Sequence, residues 1–96
     1  LMKLEKAIQL VRDILRQELP SGYETVLFGS WATGTARPTS DIDIGIVGDQ
    51  PVPNDRMVEI RAKVEAIQTL RKIEVVDLQT TDERFRQHAL EQAKPL

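Results

Sequence analysis

The sequence predicts an α/β fold with a small central mixed sheet. Three short segments rich in β-branched residues alternate with segments whose apolar residues recur at helical spacing, and this alternation is typical of α/β folds. The chain has 96 residues, and single domains usually hold about 100–150, so we expect residues 1–96 to form a single domain. The predicted order is α-β-α-β-α-β-α, with a short second helix, and this order alone leaves the topology of the sheet open.

The first helix is predicted over residues 4–19, where eight apolar side chains recur at helical spacing before Pro20 and Gly22 stop the helix. Its apolar stripe covers about 180° of the helix surface, which is wider than the ~100° that one core contact requires. We expect the stripe to contact the core on two sides. The alternative is that part of it, around Leu10, contacts a partner protein.

Two strands flank a glycine-bounded turn. Residues 23–28 are predicted as the first strand, and residues 30–35 as a turn that can hold one helical turn. Residues 42–47 are predicted as the second strand, with three isoleucines on one face by alternation of period two. Asp41 and Asp43 therefore fall on the opposite face.

The last part of the chain is predicted to hold two helices and one strand. Asn54 is the expected N-cap of a helix with a narrow apolar stripe, made by Met57, Ile60, Val64 and Ile67. Residues 72–78 are the expected third strand. Thr80 and Glu83 are expected to form a capping box for a last helix that extends to Ala93.

Composition excludes several classes of protein. The chain has no cysteine, so disulfides, thiolate zinc sites and a cysteine nucleophile are excluded. No apolar run approaches the roughly 18 residues of a membrane span and no signal-peptide pattern opens the chain, so we expect a cytoplasmic protein without membrane contact. Because the formal net charge is −2 and aromatic residues are few, direct binding of nucleic acid is not expected. Leu1 precedes Met2 and is expected not to belong to the native sequence.

Asp41 and Asp43 are the first candidate metal ligands. They stand two residues apart at the start of the second strand, so their side chains leave the same face about 6.5–7 Å apart. Two such carboxylates repel each other unless one is protonated or a cation lies between them. Mg²⁺ binds one or two carboxylates and fills its other positions with water and phosphate oxygens. The pair therefore predicts a magnesium site; the alternative is two solvated acids at the end of a strand.

Asp77 is the candidate for a third ligand. It stands at the carboxyl end of the third strand, on the same face as Ile73 and Val75. If this strand lies beside the second one, three carboxylates converge, as in two-metal sites for phosphoryl-type transfer. The alternative is that Asp77 caps the turn before Thr80.

Gly29 and Ser30 predict a phosphate site. A strand that ends in glycine and opens into a helical turn leaves backbone N–H groups free to bind phosphate. Gly29 permits close approach of the phosphate and Ser30 adds a hydroxyl donor. The alternative for Ser30 is that it only caps the short helix. Gly34 is expected to adopt a left-handed conformation where the turn ends.

The motif Gly29-Ser30, followed by ten residues and then Asp41-Ile42-Asp43, resembles the signature of the polymerase-β-like nucleotidyltransferases. The chain is most similar to the minimal nucleotidyltransferase (MNT) proteins of that family, which are single-domain members of about this length. The similarity runs from about residue 23 to residue 90. In this resemblance Asp77 matches the family's third acid.

The loop between the two motifs carries further candidate nucleotide contacts. Arg37 and Ser40 match common members of the family, and Arg37 is expected either to contact the triphosphate or to pair with Asp41. Trp31 and Thr33 stand where minimal members often carry basic residues. Trp31 is a candidate for stacking on the base, and packing against the turn is the alternative.

The resemblance implies a reaction and a set of roles. A hydroxyl attacks the α-phosphate of ATP and pyrophosphate leaves, with two Mg²⁺ ions, or Mn²⁺ in their place, held by Asp41, Asp43 and Asp77. Asp77 would also help remove the proton of the hydroxyl. Ser30 and the N–H groups after Gly29 would hold the leaving phosphates.

The resemblance also implies a partner. Minimal members are similar to the antitoxins of toxin–antitoxin pairs whose toxin is a HEPN-domain ribonuclease, and in that family the MNT protein transfers AMP to a tyrosine of the toxin. Larger relatives carry a helical domain for the acceptor, so here an acceptor delivered by another molecule, in a hetero-oligomer or a homodimer, is expected. Two alternatives stay open: a non-catalytic antitoxin that occludes the toxin, and a nucleotidyltransferase that acts on a small molecule.

Overall fold

The structure is a computed structural model that describes residues 2–96, so Leu1 lies outside the described part of the chain. The predicted α/β fold with a mixed sheet is confirmed. The elements, in chain order, are α1 (Leu4–Glu18), β1 (Glu24–Phe28), α2 (Ser30–Thr33), β2 (Ile42–Val47), α3 (Asn54–Glu65), β3 (Ile73–Asp77), α4 (Glu83–Glu91) and β4 (Lys94–Pro95).

The four strands form one sheet in the order β3-β2-β1-β4. β1 is antiparallel to both β2 and β4, whereas β2 and β3 are parallel. The end of β1 therefore lies beside the starts of β2 and β3. The chain passes directly from β1 through α2 to β2. The candidate residues from Gly29 to Asp43 therefore all lie at this end of the sheet.

The larger core lies between one face of the sheet and the helices α1 and α3. The three isoleucines of β2 are fully buried on this face, with Ile60 of α3 and Val11 of α1. The smaller core lies on the other face, where α4 covers Phe28 and Leu78. The alternation predicted for β2 is thus correct: its isoleucines lie on one face and Asp43 lies on the other.

The buried part of α1 is narrower than its apolar stripe. Ala7, Val11 and Leu15 are buried in one line along the helix, whereas Leu10 is only half-buried and lies outside the cluster that packs on the larger core. The sequence did not indicate that Glu18 would be buried beside them. Its carboxylate lies 3.8 Å from Arg56 Nη1 and 3.5 Å from Lys63 Nζ, both on α3, so ion pairs link the two helices.

The ends of the later elements differ from prediction. Pro53 occupies the N-cap of α3 instead of Asn54. The predicted capping box of α4 is wrong, because the side chain of Asp82 caps the helix by accepting from the Phe85 N–H at 2.8 Å. Thr80 instead donates its hydroxyl to the carbonyl of Asp77. The chain after α4 adds the short strand β4, which was not predicted. No helix among residues 2–96 is long and apolar enough to cross a bilayer.

Candidate active site

A row of three side chains crosses the sheet where β1 ends and where β2 and β3 begin. Phe28 of β1 pairs with Asp43 of β2, and Asp43 pairs with Glu74 of β3. Directly opposed residues on neighbouring strands point to the same face, and their backbones lie about 5 Å apart. Asp41 comes two residues before Asp43 and shares its side of the strand. Three carboxylates therefore gather at this corner of the sheet: Asp41, Asp43 and Glu74.

The carboxylate of Asp43 is electrostatically disfavoured. Burial raises the pKa of Asp43 most, and the negative charges of Glu74 and Asp41 raise it further. Lys72 acts in the opposite direction on this pKa but does not cancel the increase. The Lys72 ammonium lies 3.4 Å from the carboxylate of Glu74, and the side chains of Lys72 and Glu74 are both exposed. The corner thus holds more negative charge than its own cations neutralise.

Gly29 is required by two features of the structure. Its backbone has φ 71° and ψ −154°, a region that only glycine adopts without strain. A Cβ at this position would also overlap with Oδ2 of Asp43 and lie 3.2 Å from its Cγ. The sequence predicted that Gly29 allows a phosphate to approach; in the structure, the group that approaches the backbone is the carboxylate of Asp43.

Replacing Gly29 with alanine is expected to destabilise the fold by about 1–3 kcal/mol, from backbone strain, and to displace Asp43. Gly22→Ala is the matched control, because Gly22 also has a positive φ, 96°, but open space where its Cβ would be. Chemical denaturation should show a loss of stability in both variants, whereas nucleotide transfer should fall only in G29A. Equal transfer by the two variants would show that the close contact with Asp43 has no role in the reaction.

The structure does not bring Asp77, the predicted third ligand, together with Asp41 and Asp43. Asp77 pairs with Ile46 and lies on the face of the larger core, because it alternates with Ile73 and Val75. It is buried at 4% exposure, three residues further along the sheet than Asp43, which corresponds to about 10 Å.

Hydrogen bonds give Asp77 a structural role instead. Its carboxylate accepts from the Val52 N–H at 2.7 Å and from the backbone and side-chain amides of Gln79 at 3.2 and 2.7 Å. Gln79 in turn accepts from the Gly48 N–H at 2.8 Å. Asp77 therefore secures the loop after β2 and the turn after β3, which is close to the alternative that it caps this turn.

Glu74 is the acid that the sequence interpretation missed. The alternation that places Ile73 and Val75 in the core necessarily places Glu74 on the other face, with Asp43. The signal was therefore present, but it becomes decisive only with the parallel register of β2 and β3, which pairs Glu74 with Asp43.

Ser30 stands at the start of α2. It is the first residue of this helix, and Gly29 occupies the N-cap position, so the interpretation of Ser30 as a mere cap is wrong. The first N–H groups of a helix have no partner within the helix, and those of Ser30 and Trp31 are in that position here. Gly34 ends α2 in the left-handed conformation, with φ 79°, as predicted.

Trp31 and the turn of residues 37–40 form the rest of the loop. Trp31 packs half-buried against the larger core and donates its indole N–H to the carbonyl of Ser40 at 3.1 Å. The structure thus shows Trp31 packed against the fold, which was the alternative to stacking on a base. Ser40 accepts from the Arg37 N–H at 2.8 Å and donates its own N–H to the Arg37 carbonyl at 2.9 Å. The Arg37 side chain is exposed, and it makes no ion pair with Asp41 within residues 2–96.

The chemistry of the corner fits a divalent cation that arrives with a nucleotide. Across residues 2–96, no three acidic or histidine side chains are grouped closely enough to hold a metal ion by themselves. Mg²⁺ usually takes one or two carboxylates and completes its ligand set with water and phosphate oxygens. Because Asp41 and Glu74 both disfavour the charge on Asp43, a cation at this corner would relieve their repulsion.

Comparisons with known proteins relate the chain to a family of nucleotidyltransferases. A family model described as polymerase beta nucleotidyltransferase matches residues 3–96. The chain is 30% identical over 83 residues to the probable protein adenylyltransferase MntA of Haemophilus influenzae. The aligned region covers 83% of this chain and 69% of that protein.

Several solved structures share the fold. A toxin–antitoxin complex with AMP-PNP matches with a TM-score of 0.71 and 26% identity, over 91% of this chain and 69% of that one. The MNT antitoxin in complex with the tri-AMPylated HEPN toxin of Shewanella oneidensis matches with a TM-score of 0.68 and 22% identity, over 95% of this chain and 69% of that one.

Proposed function

Because the chain belongs to the polymerase beta nucleotidyltransferase family, we propose that residues 1–96 act as a single minimal domain that transfers AMP from ATP to a hydroxyl group. The observation that carries this proposal is the arrangement of Asp43 and Glu74 in one row, beside Gly29 and Ser30. It places a carboxylate cluster next to the free N–H groups of a helix start, which are the two parts that transfer of a nucleotide requires.

Each Mg²⁺ would be held by one or two of the carboxylates of Asp41, Asp43 and Glu74, together with phosphate oxygens of the nucleotide. When bound, the metal supplies positive charge that stabilises the phosphate oxygens during transfer. Glu74 replaces Asp77 in this set, because only Glu74 lies on the face of Asp43.

The order of residues across the sheet suits an in-line displacement. The oxygen of the acceptor hydroxyl forms a bond to the α-phosphorus, the bond from this phosphorus to the oxygen that bridges to the β-phosphate breaks, and pyrophosphate leaves with the bonding electrons. Attacking and leaving oxygens lie roughly in line in such reactions. Ser30 and the N–H groups of α2, on the β1 side of Asp43, would hold the leaving phosphates. Glu74, on the β3 side, would face the incoming hydroxyl and accept its proton.

The acceptor that we propose is a tyrosine of a HEPN-type toxin, so that the transfer makes this chain an antitoxin. Two similarities support the proposal: the MntA relative is a probable protein adenylyltransferase, and the structural match at 26% identity is a toxin–antitoxin complex with an ATP analogue. The Shewanella oneidensis complex, which shares the fold, contains a HEPN toxin that carries three AMP groups.

Label transfer tests this function. The protein is incubated with Mg²⁺ and a lysate of its source organism, in parallel with α-labelled and γ-labelled ATP, and Asp43→Asn serves as the inactive control. We expect one protein band labelled from the α-position only, absent with the variant, and mass spectrometry should locate AMP on a tyrosine. Label only on small molecules would indicate a small-molecule acceptor. Toxin neutralisation that persists in the variant, without any transfer by the wild type, would indicate inhibition by occlusion.

A further inference from the structure

Arg71 connects three separate parts of the chain near the active site. It lies in the loop between α3 and β3, and its guanidinium Nε donates to the carbonyl of Pro38 at 2.8 Å. Nη1 donates more weakly to the carbonyl of Met2 at 3.4 Å. The same guanidinium lies over Trp31, with Cζ 5.7 Å from the ring centroid, a distance at which a cation and an aromatic ring attract each other.

These contacts hold the turn of residues 37–40 at two points. Arg71 donates to the carbonyl of Pro38, and Trp31, over which its guanidinium lies, donates to the carbonyl of Ser40 at 3.1 Å. The turn itself is closed by the two hydrogen bonds between Arg37 and Ser40. Asp41 follows immediately, so the position of this proposed metal ligand depends on where the turn is fixed.

We infer that Arg71 is a positioning residue of the nucleotide site, which acts through Trp31 and the turn of residues 37–40 and does not touch the substrate. The inference rests on the proposed function. Arginine suits this role better than lysine, because its planar cation is attracted to the face of the indole and presents several donors in a fixed arrangement. Without Arg71, the turn would sample several positions, and nucleotide binding would have to select the one in which Asp41 and Arg37 are correctly placed.

This role predicts a specific kinetic signature for Arg71→Ala. Apparent affinity falls in proportion to the fraction of molecules in the binding-competent form, so a loop that is competent one-tenth of the time raises KM for MgATP about tenfold. At saturating MgATP the loop is ordered, and kcat should stay within about twofold of the wild-type value. Arg71→Lys should recover only part of the affinity. Arg84→Ala, at an exposed arginine of α4, is the matched control and should leave both constants unchanged.

A second readout does not require activity. Hydrogen exchange of the backbone amides of residues 35–41, measured without nucleotide, should accelerate in R71A and not in R84A. Unchanged exchange in this loop, or a loss of kcat with KM unchanged, would overturn the positioning role. If the wild-type protein fails to bind an ATP analogue in calorimetry, the proposed function fails, and the exchange data still decide whether Arg71 fixes the loop.

Discussion

Asp43→Asn is expected to reduce AMP transfer by at least about 10³-fold, as removal of a central catalytic group commonly does, and also to stabilise the metal-free protein at neutral pH. Both effects have one origin. Asp43 lies beside Asp41 and Glu74 in a partly buried position that disfavours its charge. The negative charge that would attract a metal ion therefore opposes folding when the metal is absent, and asparagine removes the charge at nearly constant shape.

The pH dependence of stability follows from the raised pKa of Asp43. The pKa of Asp43 is higher in the folded protein than its ordinary value, so between these two pKa values the folded state binds more protons than the unfolded state. The free energy of unfolding due to this group therefore decreases as the pH rises through this window, and the full penalty is present above it. Below the ordinary pKa of aspartate, about 3.9, the penalty is absent.

Urea denaturation in EDTA measures this effect. The stability advantage of D43N over the wild type should be larger at about pH 7 than near the ordinary aspartate pKa of about 3.9. Added Mg²⁺ with a non-hydrolysable ATP analogue should stabilise the wild type through binding to the folded state and should have little effect on D43N. A variant less stable than the wild type at neutral pH without metal would mean that the carboxylate makes favourable contacts which outweigh the repulsion.

Features encoded locally were predicted from the sequence, and these include the positions of Gly29, Ser30 and Asp43 in the candidate site. The alternation in β2 correctly placed the isoleucines on one face and Asp43 on the other. The positive φ of Gly34 followed from the position of a glycine after a short helix. Features that depend on residues distant in sequence were not predicted. The cation–π contact of Arg71 with Trp31 joins residues 40 positions apart, and no local pattern in the sequence indicates it.

Which acid joins Asp41 and Asp43 depends on strand pairing as well as on periodicity. Periodicity specifies that Glu74 and Asp77 point to opposite faces, but the pairing of strands decides which of them meets Asp43. In a parallel pair, a shift of one residue exchanges the faces. In the sequence, Asp77 also looks like a functional residue, because an acidic side chain at the end of an apolar strand contributes nothing to packing. The structure gives it a use in hydrogen bonds to Val52 and Gln79 that only the folded chain provides.

Glu74→Gln is therefore expected to lose activity and keep its stability, whereas Asp77→Asn is expected to lose stability and keep its activity. E74Q should reduce transfer at least about 10²-fold, because it removes a proposed ligand and proton acceptor. Its stability should change little, since Glu74 is half-exposed and an exposed ion pair such as that with Lys72 contributes about 0–1 kcal/mol. The free energy of unfolding and the rate of transfer, measured on the same preparations, separate the two quantities.

D77N should lose stability and keep its activity per folded molecule. The Asp77 carboxylate accepts three hydrogen bonds in a buried position. An asparagine offers one acceptor oxygen and turns an NH₂ group toward donors, so at least one N–H is left unpaired. A buried unpaired donor costs about 1–3 kcal/mol, and the lost bonds to a charged acceptor add to this, so we expect a destabilisation of about 2–4 kcal/mol.

The two variants together determine which acid belongs to the reaction. If D77N abolishes transfer while its denaturation midpoint and slope match the wild type, Asp77 must reach the reacting groups. That would require β3 to pair with β2 one residue out of the register that sets Glu74 opposite Asp43. If instead E74Q alone loses transfer, the three carboxylates at the corner of the sheet, those of Asp41, Asp43 and Glu74, are the part of this fold that carries the reaction. In that case the contribution of Asp77 is to the stability of the fold, as a buried acceptor for the loop after β2 and the turn after β3.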